Sequence, residues 1–321
     1  MAIRTELSKM FGLDYPIVSA PMGGISGGRL AAVVSNTGGL GLVGGGYGDK
    51  QWLQTELSLA AREARRPWGA GVITWHTDAG VIELILGFKP AAMLLSFGDP
   101  RPYAAIIRRA GVKLICQVQD LPGARFALEA GADVLVAEGT EAGGHGGSRG
   151  TLPLVPAVVD IAGNVPVLAA GGIADGRGLA AALMLGAAGA LMGTRYYASL
   201  EALGSDSAKS RIVAASGEDT LRTRIFDIVR DYPWPEHYTG RALRNSFTDR
   251  WHANEIGLRA ALDGERARFE QAGRDADYDV RMVWASEAAD LIGSVESAAD
   301  ITRGIGSEAE RLLREKSVLA V

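Results

Sequence analysis

The sequence predicts an α/β fold built as a closed (β/α)8 (TIM) barrel with a C-terminal helical extension or lid. Eight short apolar runs begin roughly 20 to 30 residues apart, and each gap has room for one helix. Most runs are continuously apolar, as in parallel strands that helices cover on both faces. A doubly wound open sheet is the alternative. The predicted strands are residues 17–20, 40–43, 68–73, 91–95, 112–118, 133–138, 165–170 and 189–193.

The segments between these runs have the composition of helices. Residues 29–37 follow the first run, 51–64 the second and 123–132 the fifth. Residues 39–44 match the dinucleotide-binding pattern G-x-G-x-x-G, which has to follow a strand and open a helix. Here the pattern overlaps the second predicted strand and follows a helix, so it argues against a Rossmann domain.

The chain is expected to divide into three segments. Residues 1–202, together with the C-terminal helices, form the barrel. Residues 203–260 form a helical, aromatic-rich excursion, which is either a lid on the substrate side of the barrel mouth or a simple appendage. Residues 261–321 pack back on the barrel as helices. Within the last two segments, 254–272 and 286–316 have the charged amphipathic pattern of helices on a protein's outside.

Composition and charge exclude several classes of protein. The chain has 321 residues, is 47% hydrophobic and 22% charged, and carries a net charge of -4, which provides no basic surface for nucleic acid. No apolar run has the length of a membrane span, and the N-terminus lacks the apolar core of a signal peptide. The single cysteine, Cys116, excludes an intrachain disulfide and a cysteine-based metal site. We expect a cytoplasmic monomer or homodimer without nucleic-acid or membrane partners.

Glycine-rich stretches mark one end of the predicted barrel. The chain has 43 glycines, about twice the average share. Because the carboxyl ends of the strands carry the ligand site in barrels of this kind, we expect the ligand to lie where these stretches meet. The stretches follow the first, sixth, seventh and eighth strands and read SAPMGG (19–24), EGTEAGGHGG (138–147), AAGGIADG (169–176) and MGTR (192–195).

Two of these loops have the features of a phosphate site. Gly171 and Gly172 end the seventh strand. Gly193 and Thr194 end the eighth, so backbone N–H groups of adjacent loops can converge on one anion. The alternative is that the glycines only permit tight turns between strand and helix. Asp175 is placed to cap the helix that follows.

Polar side chains on the fifth strand are expected to reach the ligand. Alternation along the strand places Gln117 and Gln119 inside the barrel and Cys116 toward the helices. Gln117 lies near the end of the strand, where its amide can contact a polar ring held at the mouth. The alternative is a core glutamine that bonds only to protein. Cys116 is expected to be a buried structural thiol.

His145 is the candidate catalytic residue. It lies in the loop after the sixth strand with glycines on both sides, so its imidazole can lie against a flat ligand. Imidazole titrates near neutrality and suits proton abstraction from carbon or stabilisation of an anion. Glu138 and Glu141 are placed to orient it or to contact a ligand, and His76 is a second candidate at the mouth. A structural loop histidine is the alternative, and no metal is expected because no partner stands at ligand spacing.

Together these motifs resemble those of the nitronate monooxygenase family, in order from about residue 10 to residue 200. The resemblance implies an FMN-binding (β/α)8 barrel, with His145 deprotonating a neutral nitroalkane or stabilising the reacting anion. Some members have lysine in place of Gln117 and aspartate in place of Glu138, and lysine would stabilise negative charge on the flavin more strongly than an amide. The FMN contacts that the resemblance implies are Ala20, Pro21, Met22, Gln117, Glu138, Gly143, Gly144, Gly171, Gly172, Gly193 and Thr194.

The activity that the resemblance implies is the FMN-dependent oxidation of alkyl nitronates or nitroalkanes by O2 to a carbonyl compound and nitrite. The same motifs occur in NAD(P)H-dependent reductases of quinones and enoyl thioesters, so such a reductase is the first alternative. A flavin-binding protein without catalysis is the second. The expected partners are a small-molecule substrate and O2, or NAD(P)H and an acceptor.

Overall fold

Eight parallel strands close into a barrel in chain order. The computed structural model describes residues 3–316, so residues 1, 2 and 317–321 of the expected segments lie outside the described part. The eight strands end within one or two residues of their expected positions. The last strand pairs with the first, which confirms the barrel and makes the doubly wound alternative wrong. They are β1 (Ile17–Ser19), β2 (Leu40–Gly44), β3 (Gly69–Ile73), β4 (Ala92–Ser96), β5 (Lys113–Val118), β6 (Val134–Glu138), β8 (Val167–Ala170) and β9 (Gly189–Met192).

Helices on the outside connect successive strands. Four of them begin at an aspartate whose carboxylate accepts a hydrogen bond from a backbone N–H three residues later, namely Asp49, Asp78, Asp120 and Asp175. Such a cap stabilises a helix by roughly 1 kcal/mol, and the expected cap at Asp175 is confirmed. The helices of this part are α1 (Glu6–Phe11), α2 (Gly28–Asn36), α3 (Lys50–Glu63), α4 (Ala79–Gly87), α5 (Arg101–Arg109), α6 (Leu121–Glu129), α7 (Thr151–Ala162), α8 (Gly176–Met184) and α9 (Thr194–Tyr197).

Side chains alternate between the barrel interior and the layer that faces the helices. Ile115 belongs to the interior layer, whereas Cys116 packs outward among residues of the surrounding helices. Burial raises the pKa of Cys116 to about 12, which is typical of an inert structural thiol. The predicted orientation of β5 is therefore confirmed. The interior layer includes Val18, Leu40, Leu42, Ala92, Leu94, Ile115, Val134, Val136, Leu168 and Leu191.

The excursion that follows the barrel contains strands that the sequence did not predict, β10 (Thr220–Thr223) and β11 (Thr239–Leu243). They form an antiparallel sheet with β7 (Gly144–Gly146), in which Gly240 lies beside His145. Both strands are short and partly polar, and β11 pairs with a loop that is distant in sequence, so the local pattern did not reveal them. The glycine-rich loop of His145 is thus a strand of the excursion's sheet. The helices of the excursion are α10 (Asp206–Ala214), α11 (Ile225–Arg230), α12 (Ser246–Trp251) and α13 (Glu255–Ala260).

The C-terminal segment begins with α14 (Leu262–Arg274), whose Phe269 packs on the excursion, so the expectation that this helix packs on the barrel is wrong. The segment then returns to the barrel through a 3-10 helix (Glu287–Leu291) and α15 (Ala298–Lys316). The amphipathic helix expected over 254–272 is present as α13 and α14, with a break at Ala261. The helical pattern expected over 286–316 is present as the 3-10 helix and α15, which the irregular residues 292–297 separate.

Hydrogen bonds of Arg195 and Glu308 are among those that fasten this segment to the barrel. Arg195, from the MGTR stretch, donates to the carbonyl of Ser294 at 2.8 Å and to the carboxylate of Glu296 at 2.9 Å. These bonds fix the position of the irregular residues 292–297. On α15, the Glu308 carboxylate accepts a hydrogen bond from the Gly176 N–H at 2.8 Å, at the start of α8. No helix in the described part of the chain combines the length and apolarity needed to cross a bilayer.

Candidate functional site

The expected site residues surround the carboxyl ends of the barrel strands, which we call the mouth. Apart from Glu138 and Thr194, which are buried, all of them are half-buried. Half-buried residues of this kind are typical of the wall of a cavity that is open to solvent on one side. In chain order they are Ala20, Pro21 and Met22 after β1, Gln117 on β5, Glu138 on β6, Gly143, Gly144 and His145 on the loop after β6, Gly171 and Gly172 after β8, and Gly193 and Thr194 after β9.

Glu138 is the centre of a buried polar cluster. Its Oε2 accepts hydrogen bonds from Gln117 Nε2 at 3.0 Å and from Gln119 Nε2 at 2.9 Å. Burial raises the pKa of Glu138 to about 7, against the opposite effects of the two amides and of the Arg222 guanidinium. The cluster therefore places at the mouth a carboxyl group that gains or loses its proton near neutral pH.

Arg222, on β10, is a site residue that sequence reasoning missed. Its guanidinium donates to the carbonyls of Thr140, at 2.9 Å, and Thr239. Gly146 lies between this arginine and Glu138, because a Cβ at 146 would be 3.1 Å from Arg222 Nη2 and 3.3 Å from Glu138 Oε2. Burial lowers the pKa of Arg222 to about 10, while the charge of Glu138 acts to raise it. The absence of a side chain at Gly146 thus allows the Arg222 guanidinium and the Glu138 carboxyl group to approach each other.

Replacing Glu138 by glutamine is expected to stabilise the protein more at alkaline than at acidic pH. The pKa of this carboxyl is about 7 in the folded protein and 4.5 in its ordinary state, so the folded protein binds the proton more tightly. The stability that Glu138 contributes is therefore greatest below pH 4.5 and is lost as the pH rises to 7. Relative to wild type, Glu138→Gln should gain about 1 to 3 kcal/mol more in unfolding free energy at pH 8 than at pH 5. Urea unfolding of both proteins at pH 5 and pH 8 measures this gain. The same difference in unfolding free energy between variant and wild type at the two pH values would contradict the prediction.

The loop after β1 packs on β2 and β3. A Cβ on Gly44 would overlap the backbone of Met22, whose nitrogen would lie at 2.8 Å. A Cβ on Gly71 would lie 2.5 Å from Pro21 Cγ. The Ala20 N–H donates to the last carbonyl of β9 at 2.9 Å, which ties the loop to the other side of the barrel. Glycine at the end of β2 and in the middle of β3 is therefore required for this loop to lie at the mouth.

The two loops expected to hold a phosphate also have structural roles. Gly171 and Gly172 have φ angles of 98° and 72°, the left-handed region that favours glycine. A Cβ on Gly171 would lie 3.0 Å from Ala142 N, so this loop packs tightly on the loop after β6. Thr194 Oγ1 accepts a hydrogen bond from the Ser286 N–H at 3.0 Å, and the hydroxyl can still donate its own proton. The requirement for a tight turn is therefore enough to explain the glycine at 171. The hydroxyl of Thr194 remains free to donate a hydrogen bond to a ligand.

His145 is held by residues of the excursion. Its Nε2 lies 3.0 and 2.9 Å from the two carboxylate oxygens of Asp227 on α11, and the two side chains are 8% and 5% exposed. The imidazole stacks on Trp234 with 3.5 Å between ring centroids and 4° between planes. Burial lowers the pKa of His145 more than the Asp227 contact raises it. The imidazole is therefore neutral near pH 7 and hydrogen-bonded on one side.

Glu141 and His76, the other residues expected near His145, have different partners. The Glu141 carboxylate accepts hydrogen bonds from the backbone N–H of Thr151 at 2.9 Å and from its hydroxyl at 2.8 Å, so it does not orient His145. His76 is exposed, and its Nδ1 lies 2.9 Å from the Tyr47 carbonyl. Asp227 is the carboxylate that orients His145. It was not predicted because it lies far from His145 in the sequence.

An aromatic wall, formed by Tyr47, Trp75, Phe97, Trp234 and Tyr238, stands beside His145. Trp234 is its centre, with ring centroids 5.3 Å from Trp75 and 5.1 Å from Phe97. Trp234 Nε1 also donates to the Tyr47 hydroxyl at 2.9 Å. The aromatic content of the excursion was visible in the sequence. The three barrel aromatics, which follow β2, β3 and β4, were not predicted because each stands alone in its loop.

Unpaired polar atoms lie on the turn after β3. Thr74 Oγ1, Trp75 Nε1 and Thr77 Oγ1 are buried and have no hydrogen-bond partner among residues 3–316. Buried polar atoms are as a rule hydrogen-bonded, so three exceptions on one turn are unusual. A polar ligand that reached this turn would complete their hydrogen bonding.

A groove of about 410 Å³ lies on the outer side of the mouth, between α7, α8 and the 3-10 helix Glu287–Leu291. Its floor includes Ala169 and Ala182, which belong to the layer outside the barrel. Of the expected site residues, Gly171 and Gly172 are the ones that line it. The groove is therefore an external feature beside the loop after β8.

Comparison with known proteins finds relatives over nearly the whole chain. A sequence model described as nitronate monooxygenase matches residues 4–80 and 69–306. Nitronate monooxygenase npaC of Metarhizium robertsii is 34% identical, with 97% of each chain covered. The structure of FabK from Thermotoga maritima has a TM-score of 0.88 and 29% identity, and covers 99% of this chain and 100% of that chain. Nitroalkane oxidase from Streptomyces ansochromogenes has a TM-score of 0.82 and 26% identity, with coverage of 97% and 99%.

The chain belongs to the nitronate monooxygenase family. It is accordingly an enzyme, an oxidoreductase that oxidises nitronates. The resemblance seen in the sequence is confirmed. The residues that carry the reaction are assigned below from the geometry of the mouth.

Proposed function

We propose that the mouth binds FMN and that the protein there oxidises alkyl nitronates with O2 to a carbonyl compound and nitrite. The observation that carries this proposal is the setting of His145, a neutral, oriented imidazole on the glycine-rich loop after β6. Next to it in the chain, a Cβ on Gly144 would meet no atom within 4 Å, so this loop leaves open space for a ligand.

The residues of the mouth fit a flavin in shape and in polarity. Ala20, Pro21 and Met22 offer a half-buried surface for the ring, and the loop after β6 leaves open space at Gly144. Gly143 packs against the backbone of Ala285 and Ser286, and we assign its own backbone to the edge of the ring. Gln117, together with Glu138, offers polar contacts to the pyrimidine edge, and the unpaired Trp75 N–H is a further donor. We assign the phosphate to the backbone of Gly172 and Gly193 and to the hydroxyl of Thr194, with Gly171 shaping the turn. When bound, FMN supplies the electron acceptor for the substrate and is reoxidised by O2.

His145 acts on the proton of the substrate. A neutral nitroalkane has to lose the proton of its α-carbon before oxidation, and a neutral imidazole beside the ring is a suitable base. A substrate that enters as the nitronate needs no such transfer, and His145 then contributes as a polar group near the anion. The aromatic wall covers this side of the mouth and excludes water from the reacting atoms.

Anaerobic mixing is the experiment that tests this function. The purified protein is expected to show a flavin spectrum, or to acquire one on addition of FMN. Mixing with ethylnitronate in the absence of O2 should bleach the flavin band rapidly, whereas NADH or NADPH should leave it unchanged. Admission of air should restore the band and release nitrite.

Other results of the same experiment would overturn the proposal. Rapid bleaching by NADH or NADPH without bleaching by the nitronate would favour the reductase of quinones or enoyl thioesters. Bleaching by neither, in a protein that binds FMN, would favour the non-catalytic flavin-binding protein. A colourless protein that takes up no FMN would contradict every flavin-dependent function at this mouth.

A further inference from the structure

We propose that Asp227 is a positioning residue that keeps the proton of neutral His145 on Nε2, so that Nδ1 is the nitrogen that exchanges a proton with the substrate. The inference deepens the proposed function, because it rests on His145 as the base toward nitroalkanes. It assigns the working atom of the histidine and the residue that selects it.

Hydrogen-bond chemistry fixes the direction of the His145–Asp227 contact. Both carboxylate oxygens of Asp227 lie within 3.0 Å of Nε2. A carboxylate can only accept hydrogen bonds, so Nε2 has to donate. A neutral imidazole carries one N–H, and the lone pair is therefore on Nδ1. No hydrogen bond within residues 3–316 engages this nitrogen.

Neighbouring residues hold the aspartate in place. Arg230 Nη2 donates to Asp227 Oδ1 at 2.8 Å, while its Nε donates to the Phe226 carbonyl at 2.9 Å. These two bonds fix the guanidinium on α11 and the carboxylate against it. Of the surrounding groups, Arg222 from β10 acts on His145 and Tyr47 interacts with Asp227. Arg281 interacts with Arg230.

The ring of His145 is also restrained. Trp234 stacks on it at 3.5 Å, and Trp284 stands at 5.2 Å with 52° between planes. Two large rings and a carboxylate thus limit its rotation, and an imidazole that is oriented and singly protonated is prepared for proton transfer in one direction. In the transfer, the α-carbon C–H bond of the nitroalkane breaks, its electron pair remains on the resulting nitronate, and the proton forms an N–H bond at Nδ1.

The variant Asp227→Asn tests whether Asp227 positions the His145 proton or only forms a structural ion pair. We expect kcat/KM for neutral nitroethane to fall at least about tenfold, because loss of the carboxylate behind a catalytic histidine allows the wrong tautomer. The value for preformed ethylnitronate should stay unchanged, since that substrate gives up no proton. Asp227 raises the pKa of His145, so the acidic limb of the nitroethane pH profile should also move to lower pH in the variant.

Asp231→Asn is the matched control. Asp231 lies four positions further on, is 78% exposed and contacts Arg266 at 3.4 Å, so the same charge is removed without touching His145. Its backbone is left-handed with φ of 61°, a conformation that asparagine tolerates. This variant should retain the wild-type ratio of the two kcat/KM values. Equal losses on both substrates in Asp227→Asn, or the same change of ratio in Asp231→Asn, would overturn the proposal.

A spectroscopic measurement on the wild-type protein covers the case in which Asp227→Asn does not fold. In the flavin-loaded protein with ¹⁵N-labelled histidine, His145 is expected to show a protonated Nε2 and an unprotonated Nδ1 near pH 7. The assignment uses His145→Asn, which removes one of four histidines. A protonated Nδ1 would overturn the inference whatever the activity. Absence of nitronate turnover with the expected tautomer would instead overturn the proposed function.

Discussion

His145→Asn is expected to lower kcat/KM for a neutral nitroalkane by about 10² to 10⁴-fold, the usual contribution of a general base. The side chain that replaces the imidazole cannot accept a proton near neutral pH. For the preformed nitronate the loss should be smaller, because only the interaction of the ring with the anion is removed. Initial rates with nitroethane and ethylnitronate at fixed O2 measure both effects, and flavin absorbance per protein shows whether the cofactor is retained.

His76→Asn is the matched control at the same mouth. His76 is exposed and its Nδ1 meets a backbone carbonyl 2.9 Å away, so its replacement should leave the ratio of the two substrates unchanged. A large loss in His76→Asn, with little in His145→Asn, would transfer the role of base to the loop after β3. Equal losses on both substrates in His145→Asn would leave it with an electrostatic or structural role.

Gly44→Ala is expected to damage both stability and flavin binding. The added Cβ would overlap the backbone N, C and O of Met22, and backbone atoms on both sides cannot move aside as a side-chain end can. Overpacking of a buried site costs about 1 to 3 kcal/mol, and more where backbone has to shift. Displacement of the loop after β1 should also weaken FMN binding. Urea unfolding of the cofactor-free protein and titration with FMN measure the two effects separately.

Gly304→Ala provides the control for Gly44→Ala. Gly304 lies exposed within α15, and a Cβ there would meet no atom within 4 Å. Alanine should therefore stabilise this helix by about 0.5 to 1 kcal/mol and leave FMN binding unchanged. If Gly44→Ala bound FMN with wild-type affinity, the loop after β1 would have no part in the cofactor site.

The barrel was predictable because its signals are local. Each strand is a continuous apolar run, and the glycines at 171 and 172 mark the point where a strand turns to a helix. Alternation along β5 was sufficient to place Cys116 outside and Gln117 inside, since side chains of a strand point to opposite faces. The resemblance then identified the family from the same stretches. Local chemistry thus predicted the architecture and the position of the mouth.

The partners of the candidate site were not predictable in this way. Asp227, Arg222 and Trp234 lie in the excursion, and pairing of β11 with the glycine-rich loop brings them to His145 and Glu138. Nothing near His145 in sequence specifies that pairing, because a strand of three residues has no pattern of its own. The carboxylates close by in sequence were therefore the natural candidates for orienting the ring, and the structure gives that role to a distant one.

The sheet of β7, β11 and β10 has an evolutionary consequence. Its first strand carries His145, and the other two bracket the segment that supplies Asp227 and Trp234. A chimera that received the 203–260 segment of a relative would acquire different residues above the substrate and different partners for His145 at the same time. Substrate preference and proton chemistry are therefore transmitted together in such an exchange, while the barrel and its cofactor loops are left as they were.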